Sequence, residues 1–438
     1  MSKILISNKI RSFNKKITVS GDKSLSIRWV IFSSLADGVS TARNLLMSED
    51  VLAAINAIRK FGIKVKISKS SCIIFGKGIN GYLYKNNIII NAKNSGTLAR
   101  LILGLLVNSP YKIKLIGDKS LSKRDFKRIA LPLQKFGAKL KLKNDKNLPL
   151  TIQGSKNLKA IKFFEKKGSA QCKSAVIFAA LRTNGKTIIR AKKSRNHTEL
   201  LCKYLKLPTK IINQKNFDYI EVTKAKNISP LNYSIPSDIS SSAFFIVLTA
   251  LCKNSKIIIK NVNINPSRTG VITILRKMGV KIKFKNIKNY KGELISDILV
   301  KYTNKINAIN CPKKFNSSAI DEFLLIFLIA AKAKGVSYFK GLSELNQKES
   351  PRLIWGSKIL NLMGIKTIVT KDSIKIYGNP NLKIHNKIII KNFLKDHRVF
   401  MTSVIAALSF GGDWQIHDKE SINTSFPGFL KIINKLKK

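Results

Sequence analysis

The chain has 438 residues, of which 81 are lysine or arginine and 23 are aspartate or glutamate, giving a formal net charge of +58. Hydrophobic residues make up 44% of it, which is enough for packed cores and excludes a disordered chain, and the length predicts two or three domains. The longest apolar run, residues 323–331, is too short to span a bilayer.

The positive charge is spread along the whole chain and forms no basic tail or arginine-rich block. Asparagine and isoleucine are also abundant and share A/T-rich codons with lysine, so we interpret the charge as compositional drift. Nonspecific binding of polyanions is still expected. The alternative, a nucleic-acid-binding protein, predicts aromatic residues interleaved with basic patches, and the sequence shows no such cluster. We therefore expect no specific nucleic-acid partner and no membrane partner.

Cysteine and histidine are few. The five cysteines form no CxxC pair and no zinc-binding spacing, and there are four histidines. The N-terminal segment also lacks the apolar stretch of a signal peptide. These features predict a reduced, cytoplasmic chain without a metal site.

In chain order, residues 1–19 are predicted as one or two strands, and they lead to the stretch Gly-Asp-Lys-Ser-Leu-Ser-Ile-Arg at 21–28. This stretch lies between a strand-like run at 17–20 and an apolar run at 29–36, which predicts a strand, a glycine turn and a helix. The N–H groups of a helix's first turn attract anions. Lys23 and Ser24 fall in that turn and Arg28 lies one turn on. Taken alone, a capped helix with solvated basic residues explains the stretch as well.

Similar helix starts recur along the chain at spacings of 69 to 82 residues. They are marked by Lys23, Ser95, Ala170, Ile239, Asp321 and Asp396. Four repeats end with a glycine at a helix C-cap before an alternating strand, namely at Gly62, Gly137, Gly279 and Gly364. The third repeat lacks this glycine near residues 205–207. We predict six repeats, each with two helices and several strands, and a crossover between two halves at 235–238.

Acidic residues are rare, so those within basic motifs are informative. Asp321 and Glu349 lie in such motifs, and a carboxylate among guanidinium groups can accept or donate a proton. Residue by residue, a helix N-cap explains Asp321 better and a structural salt bridge explains Glu349 better. Together with the basic residues, however, they predict chemistry on a multiply anionic substrate.

Ten motifs together resemble those of the 5-enolpyruvylshikimate-3-phosphate (EPSP) synthase family, from residue 21 to residue 429. They are, in chain order, GDKSLSIR, NSGTLAR, GDKSLSKR, SAQCK, RNHTE, NPSRTG, IDE, KESPRL, KDHR and NTSFPGF. The resemblance implies an α/β enolpyruvyl transferase fold of two globular domains, each of three βαβαββ repeat units. Residues 1–19 and 238–438 would form one domain and 20–237 the other, with the active site in the cleft between them.

The resemblance also implies the reaction. The enolpyruvyl group of phosphoenolpyruvate is transferred to the 5-hydroxyl of shikimate 3-phosphate in the shikimate pathway to chorismate, through a tetrahedral ketal phosphate, and phosphate is released. The family implies no cofactor and no metal, and we expect a monomer. Glyphosate is the family's phosphoenolpyruvate-site inhibitor. The related UDP-N-acetylglucosamine enolpyruvyl transferase is the closest alternative, but it carries a cysteine in the loop that corresponds to residues 117–124, where this chain has none.

By the same resemblance, each motif residue takes a role. The implied catalytic residues are Asp321, which accepts the 5-hydroxyl proton, Glu349, which protonates the methylene carbon of phosphoenolpyruvate, and Lys23. The implied phosphoenolpyruvate-binding residues are Lys23, Asn94, Gly96, Arg124, Gln171, Arg352 and Arg398. The implied shikimate 3-phosphate-binding residues are Lys23, Ser24, Arg28, Ser169, Ala170, Gln171, Arg195, Asp321 and Lys348.

The chain departs from the family pattern at several motif positions. Pro351 replaces the usual acid between Glu349 and Arg352, and Asp125 replaces a common proline after Arg124. Asn196 replaces the acid of RDHTE. None of these changes removes a charge that is assigned to the chemistry.

Overall fold

The structure is a computed structural model in which residues 2–68 and 71–437 are described. Met1, Lys69, Ser70 and Lys438 lie outside the described residues. Met1 and Lys438 are the two end residues of the domain predicted at 1–19 and 238–438. No helix in the described part of the chain is both long enough and apolar enough to cross a membrane.

Strands and helices alternate along the described chain. The strands are β1 (Lys3–Ile6), β2 (Asn14–Ile17), β3 (Asp37–Arg43), β4 (Lys64–Ile67), β5 (Ser71–Lys77), β6 (Ile89–Asn91), β7 (Ile113–Ile116), β8 (Lys139–Lys143), β9 (Asn147–Gln153), β10 (Lys162–Glu165), β11 (Thr187–Lys192), β12 (Thr209–Asn213), β13 (Phe217–Val222), β14 (Tyr233–Ser234), β15 (Lys256–Asn263), β16 (Ile282–Tyr290), β17 (Glu293–Lys301), β18 (Asn310–Cys311), β19 (Gly335–Phe339), β20 (Thr367–Val369), β21 (Ile374–Gly378), β22 (Lys387–Ile390) and β23 (Asp413–His417). The helices are α1 (Lys23–Ser34), α2 (Glu49–Arg59), α3 (Gly96–Leu105), α4 (Lys119–Ser122), α5 (Lys127–Lys135), α6 (Ala170–Ala180), α7 (His197–Tyr204), α8 (Ile239–Leu251), α9 (Gly270–Lys277), α10 (Asn316–Ala319), α11 (Phe323–Ala331), α12 (Arg352–Leu362), α13 (His397–Phe410) and α14 (Phe429–Lys437).

The chain divides into two compact units. Unit 1 comprises Met1–Ser20, Pro236–Tyr290 and Leu294–Lys438, and unit 2 comprises Gly21–Ile235 and Lys291–Glu293. Both units are therefore built from more than one stretch of the chain.

Within the described residues, five four-stranded sheets share one topology. Their strand orders are β14-β3-β5-β4, β6-β7-β9-β8, β10-β11-β13-β12, β2-β15-β17-β16 and β18-β19-β21-β20. In each, the first two strands pair in parallel and the second pairs antiparallel with the next. A sixth, three-stranded sheet has the order β1-β23-β22, with β22 parallel to β23.

Where the two parallel strands follow each other in the chain, as in β6-β7, β10-β11 and β18-β19, one or more helices join them, because a parallel pair needs a crossover connection. The second repeat, for example, runs β6, α3, β7, α5, β8 and β9, with the short helix α4 before α5. The first strands of two repeats come from elsewhere in the chain, since β14 pairs with β3 and β2 pairs with β15.

The first helix of each repeat lies in the core of its unit. In unit 1, α8, α11 and α13 pack against one another, and in unit 2, α3 packs against both α1 and α6. Helix α11 is apolar and buried along its whole length, as expected for a helix surrounded by protein. The N-terminal ends of these helices carry most of the predicted site residues.

The four predicted glycines lie at helix ends, and in the third repeat another residue takes the same backbone conformation. The four glycines at these positions, Gly62, Gly137, Gly279 and Gly364, all have left-handed backbone angles. In the third repeat, Lys206 takes the left-handed conformation instead, with a φ of 52°. Lys206 adopts this conformation although a residue other than glycine pays a steric penalty there.

The strand predicted at 17–20 is wrong, because β2 ends at Ile17. The chain leaves the sheet at this point to make other bonds. The carbonyl oxygen of Val19 accepts from Ser237 Oγ at 3.1 Å, and that of Ser20 accepts from the Asp238 N–H at 3.1 Å. The helix predicted after the glycine turn is present as α1.

Candidate active site

The predicted site residues divide between the two units. Unit 2 contains Lys23, Ser24, Arg28, Asn94, Gly96, Arg124, Ser169, Ala170, Gln171 and Arg195. Unit 1 contains Asp321, Lys348, Glu349, Arg352 and Arg398.

In unit 2, the first turn of α1 carries the predicted site residues Lys23 and Ser24. Asp22 caps the helix, since its Oδ1 accepts from the Leu25 N–H at 2.9 Å. The ammonium of Lys23 lies 3.0 Å from Asp50 Oδ2, and 23% of the Lys23 side chain is exposed. Lys23 is therefore oriented by a buried acid and still accessible to an anion.

Arg28 lies one turn along α1 and is buried. Its Nε donates to Thr198 Oγ1 at 2.7 Å, its Nη2 donates to Ser174 Oγ at 3.1 Å, and its Nη1 donates to the Ser24 carbonyl at 3.1 Å. Burial lowers the pKa of the Arg28 guanidinium to about 10, although the Glu199 carboxylate acts in the opposite direction. The group therefore stays charged at neutral pH.

The side chains of two arginines of unit 2, Arg100 and Arg124, lie at the start of α3. Arg124 Nη2 donates to Asn94 Oδ1 at 3.2 Å, and Asn94 Nδ2 donates to Asp118 Oδ2 at 2.6 Å. A β-carbon built on Gly96 would lie 2.8 Å from Arg100 Nη1 and 3.1 Å from Arg124 Nη1. Glycine at this position therefore lets both guanidinium groups approach the helix start.

Gln171 is held by two partners at the start of α6. Its Oε1 accepts from Arg100 Nη1 at 2.9 Å, and its Nε2 donates to Thr97 Oγ1 at 3.0 Å. Ser169 caps the helix through the Cys172 N–H, and its own N–H donates to Glu165 Oε2 at 2.8 Å. The loop before α6 is thus tied to a buried carboxylate.

In unit 1, Arg352 lies among three carboxylates. Its Nε and Nη2 donate to the two oxygens of Asp396 at 2.8 and 3.1 Å, which is a bidentate pair. Nη2 also donates to Glu349 Oε2, and Nη1 lies 3.5 Å from Asp321 Oδ1. Burial alone would lower the pKa of Arg352, but Asp396 and Glu349 raise it above its ordinary value.

Asp396 is the buried anchor of this cluster. Its carboxylate accepts from Ser350 Oγ at 2.8 Å and from the Arg398 N–H at 2.9 Å, in addition to Arg352. Burial alone would raise the pKa of this carboxyl, but the Arg352 guanidinium lowers it below its ordinary value. Asp396 therefore stays ionised, and it holds the guanidinium of Arg352 and the backbone of Arg398 at the start of α13.

Asp321 is not the N-cap of α11. Glu322 occupies the N-cap position, without a side-chain capping bond, and the helix begins at Phe323. The Asp321 carboxylate instead lies 3.3 Å from Lys348 Nζ, and its backbone carbonyl accepts from Arg398 Nη1 at 2.8 Å. The capping explanation of Asp321 is therefore wrong.

Pro351 does not prevent contact between the side chains of Glu349 and Arg352. The proline occupies the N-cap position of α12, and the helix starts at Arg352. Glu349 precedes the helix, yet its carboxylate still contacts the guanidinium three residues on. The contact therefore forms although residues 349–351 are not part of the helix.

Sequence reasoning missed the acids that orient the basic residues. Asp396 was marked only as a helix start, and Asp50, the partner of Lys23, was not singled out. A polar residue before an apolar helix was the available signal for Asp396. No local signal identifies Asp50, because its pairing depends on the packing of α2 against α1.

The sequence shows no cluster of aromatic and basic residues, but the fold brings such a cluster together. On the sheet β10-β11-β13-β12, the Arg190 guanidinium lies 4.7, 4.5 and 5.8 Å from the ring centres of Phe164, Phe217 and Tyr219. The strand register brings these residues together from separate parts of the sequence. Arg190 itself covers ring faces that a nucleic-acid base would need for stacking.

Within residues 2–68 and 71–437, no three histidine, cysteine, aspartate or glutamate side chains are grouped to hold a metal ion. The described cysteines Cys72, Cys172, Cys202, Cys252 and Cys311 are buried free thiols.

Comparison with solved structures identifies the class of fold. The enolpyruvyl transferase NikO from Streptomyces tendae aligns with a TM-score of 0.76 at 13% identity, covering 99% of this chain and 97% of that one. An EPSP synthase from Acinetobacter baumannii aligns with a TM-score of 0.87 at 33% identity, covering 99% and 98%. The fold is that of the enolpyruvyl transferases.

Sequence comparisons identify the family. The EPSP synthase (3-phosphoshikimate 1-carboxyvinyltransferase) model matches residues 7–433. The 3-phosphoshikimate 1-carboxyvinyltransferase of Caldicellulosiruptor bescii is 36% identical over 425 residues, which are 97% of this chain and 96% of the relative. The chain belongs to the EPSP synthase family.

The family, the fold class and the enzyme class predicted from the sequence are confirmed by these matches. The predicted reaction is confirmed with them, namely transfer of the enolpyruvyl group of phosphoenolpyruvate to the 5-hydroxyl of shikimate 3-phosphate with release of phosphate.

Proposed function

We propose that basic residues of both units bind the two substrates and that two acids of unit 1 move the protons. The arrangement around Arg352 carries this proposal, because Glu349 and Asp321 both contact a guanidinium that Asp396 already neutralises. An acid in such a place is not needed to balance the charge of Arg352. It is available for acid–base work on an anionic substrate.

The proton transfers follow from the bonds that change. The 5-hydroxyl oxygen bonds to C2 of phosphoenolpyruvate while its proton passes to Asp321, and Glu349 delivers a proton to the methylene carbon. Collapse of the resulting ketal returns a proton from the new methyl group and releases phosphate. Lys23 stabilises the negative charge on phosphate oxygens during both steps.

Phosphoenolpyruvate carries a carboxylate and a phosphate, and arginine can bind either with two parallel hydrogen bonds. We assign its binding to side chains whose orientation is set by neighbouring acids or amides, with Gly96 leaving room beside them. These residues are Lys23, Asn94, Gly96, Arg124, Gln171, Arg352 and Arg398.

Shikimate 3-phosphate is assigned to residues around the starts of α1, α6 and α7 and to two of unit 1. These residues are Lys23, Ser24, Arg28, Ser169, Ala170, Gln171, Arg195, Asp321 and Lys348. Among the described residues, three of the five N–H donors of Arg28 have protein acceptors, so two remain for the substrate.

Replacing Gly96 by alanine is expected to raise the KM for phosphoenolpyruvate and to weaken competitive inhibition by glyphosate. The added methyl group would lie 2.8 Å from Arg100 and 3.1 Å from Arg124, so at least one guanidinium must move. Initial-rate kinetics at varied phosphoenolpyruvate and glyphosate concentrations measure both effects. The unmodified chain should be inhibited competitively, and full activity at concentrations that block sensitive relatives would count against this assignment.

We also propose that the enzyme works as a cytoplasmic monomer without a specific nucleic-acid partner. RNA is expected to bind through the net charge of +58 alone. Its affinity should fall by about 10³-fold or more between 50 and 200 mM salt, because binding of this kind depends on counterion release. Fluorescence anisotropy with RNAs of different sequence measures this. A tight complex with one sequence that persists at high salt would contradict the proposal.

A further inference from the structure

We propose that four residues on two helices of unit 2 position Arg28 for shikimate 3-phosphate. These residues, here named the α6–α7 brace, are Lys173 and Ser174 on α6 and Thr198 and Glu199 on α7. They are positioning residues, since they are inferred to act on the substrate through Arg28. The inference rests on the proposed role of Arg28 in binding shikimate 3-phosphate.

The placement of Arg28 depends on acceptors that the brace supplies. Its side chain starts from α1, but Nε donates to Thr198 on α7 and Nη2 donates to Ser174 on α6. The guanidinium group is planar with its donors in a fixed fork. Fixing two of its nitrogens from two different helices therefore fixes the direction of the remaining N–H bonds.

The two hydroxyl groups of the brace also bond each other. Ser174 Oγ and Thr198 Oγ1 are 2.7 Å apart, and either can be the donor. Together with the two bonds from Arg28, this contact closes a triangle of buried polar groups. A small change in the separation of α6 and α7 would break at least one side of that triangle, which would turn the guanidinium.

A buried ion pair stabilises that separation. Lys173 directly precedes Ser174, Glu199 directly follows Thr198, and Lys173 Nζ lies 2.6 Å from Glu199 Oε1. Only 0% and 4% of these side chains are exposed, so the charges interact in a medium of low dielectric constant. Separating the pair would leave two charges buried and poorly compensated, which is costly. Glu199 also favours the charged form of Arg28 against the effect of burial.

The same two helices carry the other groups assigned to shikimate 3-phosphate. Helix α6 starts with Ala170 and Gln171 after the cap Ser169, and Arg195 lies two residues before the start of α7. The brace lies one turn or less from each of these residues. It thus links three elements of one proposed subsite, and its loss should affect shikimate 3-phosphate more than phosphoenolpyruvate.

The first test removes one hydroxyl at constant shape. Thr198→Val is expected to raise the KM for shikimate 3-phosphate by about 10-fold, because Arg28 loses the acceptor of a charged hydrogen bond. The KM for phosphoenolpyruvate should change less than about twofold. Thr198→Ser keeps the hydroxyl and should restore wild-type kinetics, whereas a purely structural role of Thr198 would change all kinetic constants together or only the Tm.

The second test concerns the ion pair. Lys173→Met and Glu199→Leu are each expected to lower the Tm and to raise the KM for shikimate 3-phosphate. The double variant should regain most of the Tm, because apolar replacement of a buried pair is often neutral. Its KM should stay raised by about 10-fold, since the short contact between the helices is not rebuilt. Lys186→Met is the control, because it breaks a more exposed pair between the residue before β11 and Glu221 on β13, and it should change neither value.

Arg28→Gln separates the two levels of the proposal. If its KM for shikimate 3-phosphate rises and Thr198→Val adds little to it in the double variant, the brace acts through Arg28. If Arg28→Gln raises the KM but Thr198→Val does not, the brace is wrong and the binding role of Arg28 stands. If Arg28→Gln leaves the KM unchanged, both are wrong. A KM that recovers with the Tm in the Lys173→Met, Glu199→Leu variant would also overturn the positioning role of the ion pair.

Discussion

Asp396→Asn is expected to lower the free energy of unfolding by about 3–5 kcal/mol and to raise the KM for phosphoenolpyruvate strongly. The carboxylate is fully buried and binds two nitrogens of Arg352. Asparagine keeps the shape but removes the charge, so the guanidinium of Arg352 loses the one fully buried carboxylate of the three that contact it. Urea unfolding and steady-state kinetics measure the two effects.

The matched control is Asp413→Asn, which changes an exposed aspartate at the start of β23 in the same unit. It should leave both values near those of the wild type. An Asp396→Asn protein with unchanged stability and unchanged KM would show that Arg352 does not depend on this acid.

The Asp396 pair also predicts a pH dependence of stability. The pKa of this carboxyl is lower in the folded chain than its ordinary value, because of Arg352. Its contribution is therefore present above the unfolded-state pKa of about 4 and is lost as the pH falls through the folded-state value. The difference in unfolding free energy between wild type and Asp396→Asn should shrink from pH 6 towards pH 3. A difference that grows on acidification would contradict this assignment.

Asp321→Asn and Glu349→Gln are each expected to cut turnover by about 10²-fold or more. Each change removes the capacity to exchange a proton while keeping the shape of the side chain. Glu349→Gln should also suppress transfer of solvent deuterium into the methylene carbon of phosphoenolpyruvate. Phosphate release and mass spectrometry after reaction in heavy water measure these effects.

Binding of shikimate 3-phosphate should persist in both variants through the groups assigned to it in unit 2. Glu344→Gln is the control, because it changes an exposed acid in the short helix just before Lys348. Near-normal turnover in either variant would remove that residue from the mechanism. Loss of the folded circular dichroism spectrum would show instead that its salt bridge with Arg352 is structural.

Helix starts could be predicted from the sequence because their signal is local. Side chains of Asp22, Ser95, Ser169, Asp238 and Asp396 each accept a bond from a backbone N–H in the first turn of the next helix. Such capping residues stand directly before an apolar run and are visible without knowledge of the fold. Five of the six predicted repeats carry such a cap, and the helix start near Asp321 has no side-chain capping bond.

The partners of the site residues could not be predicted in the same way. Arg28 bonds residues that lie 146 and 170 positions away, and His197 pairs with Glu293 at a distance of 96 positions. These contacts depend on how helices and strands of different repeats pack. Local propensity also failed at 18–20, where bonds from the Ser237 hydroxyl and the Asp238 N–H to the backbone carbonyls outweigh the strand preference of threonine and valine.

Phosphate release from phosphoenolpyruvate by the purified chain, measured with different acceptors, tests most directly which reaction the enzyme catalyses. We expect steady release with shikimate 3-phosphate and none with UDP-N-acetylglucosamine, since no cysteine lies between residues 117 and 124. Release with the sugar nucleotide, or no release with shikimate 3-phosphate from a folded protein, would contradict the transfer of the enolpyruvyl group to shikimate 3-phosphate.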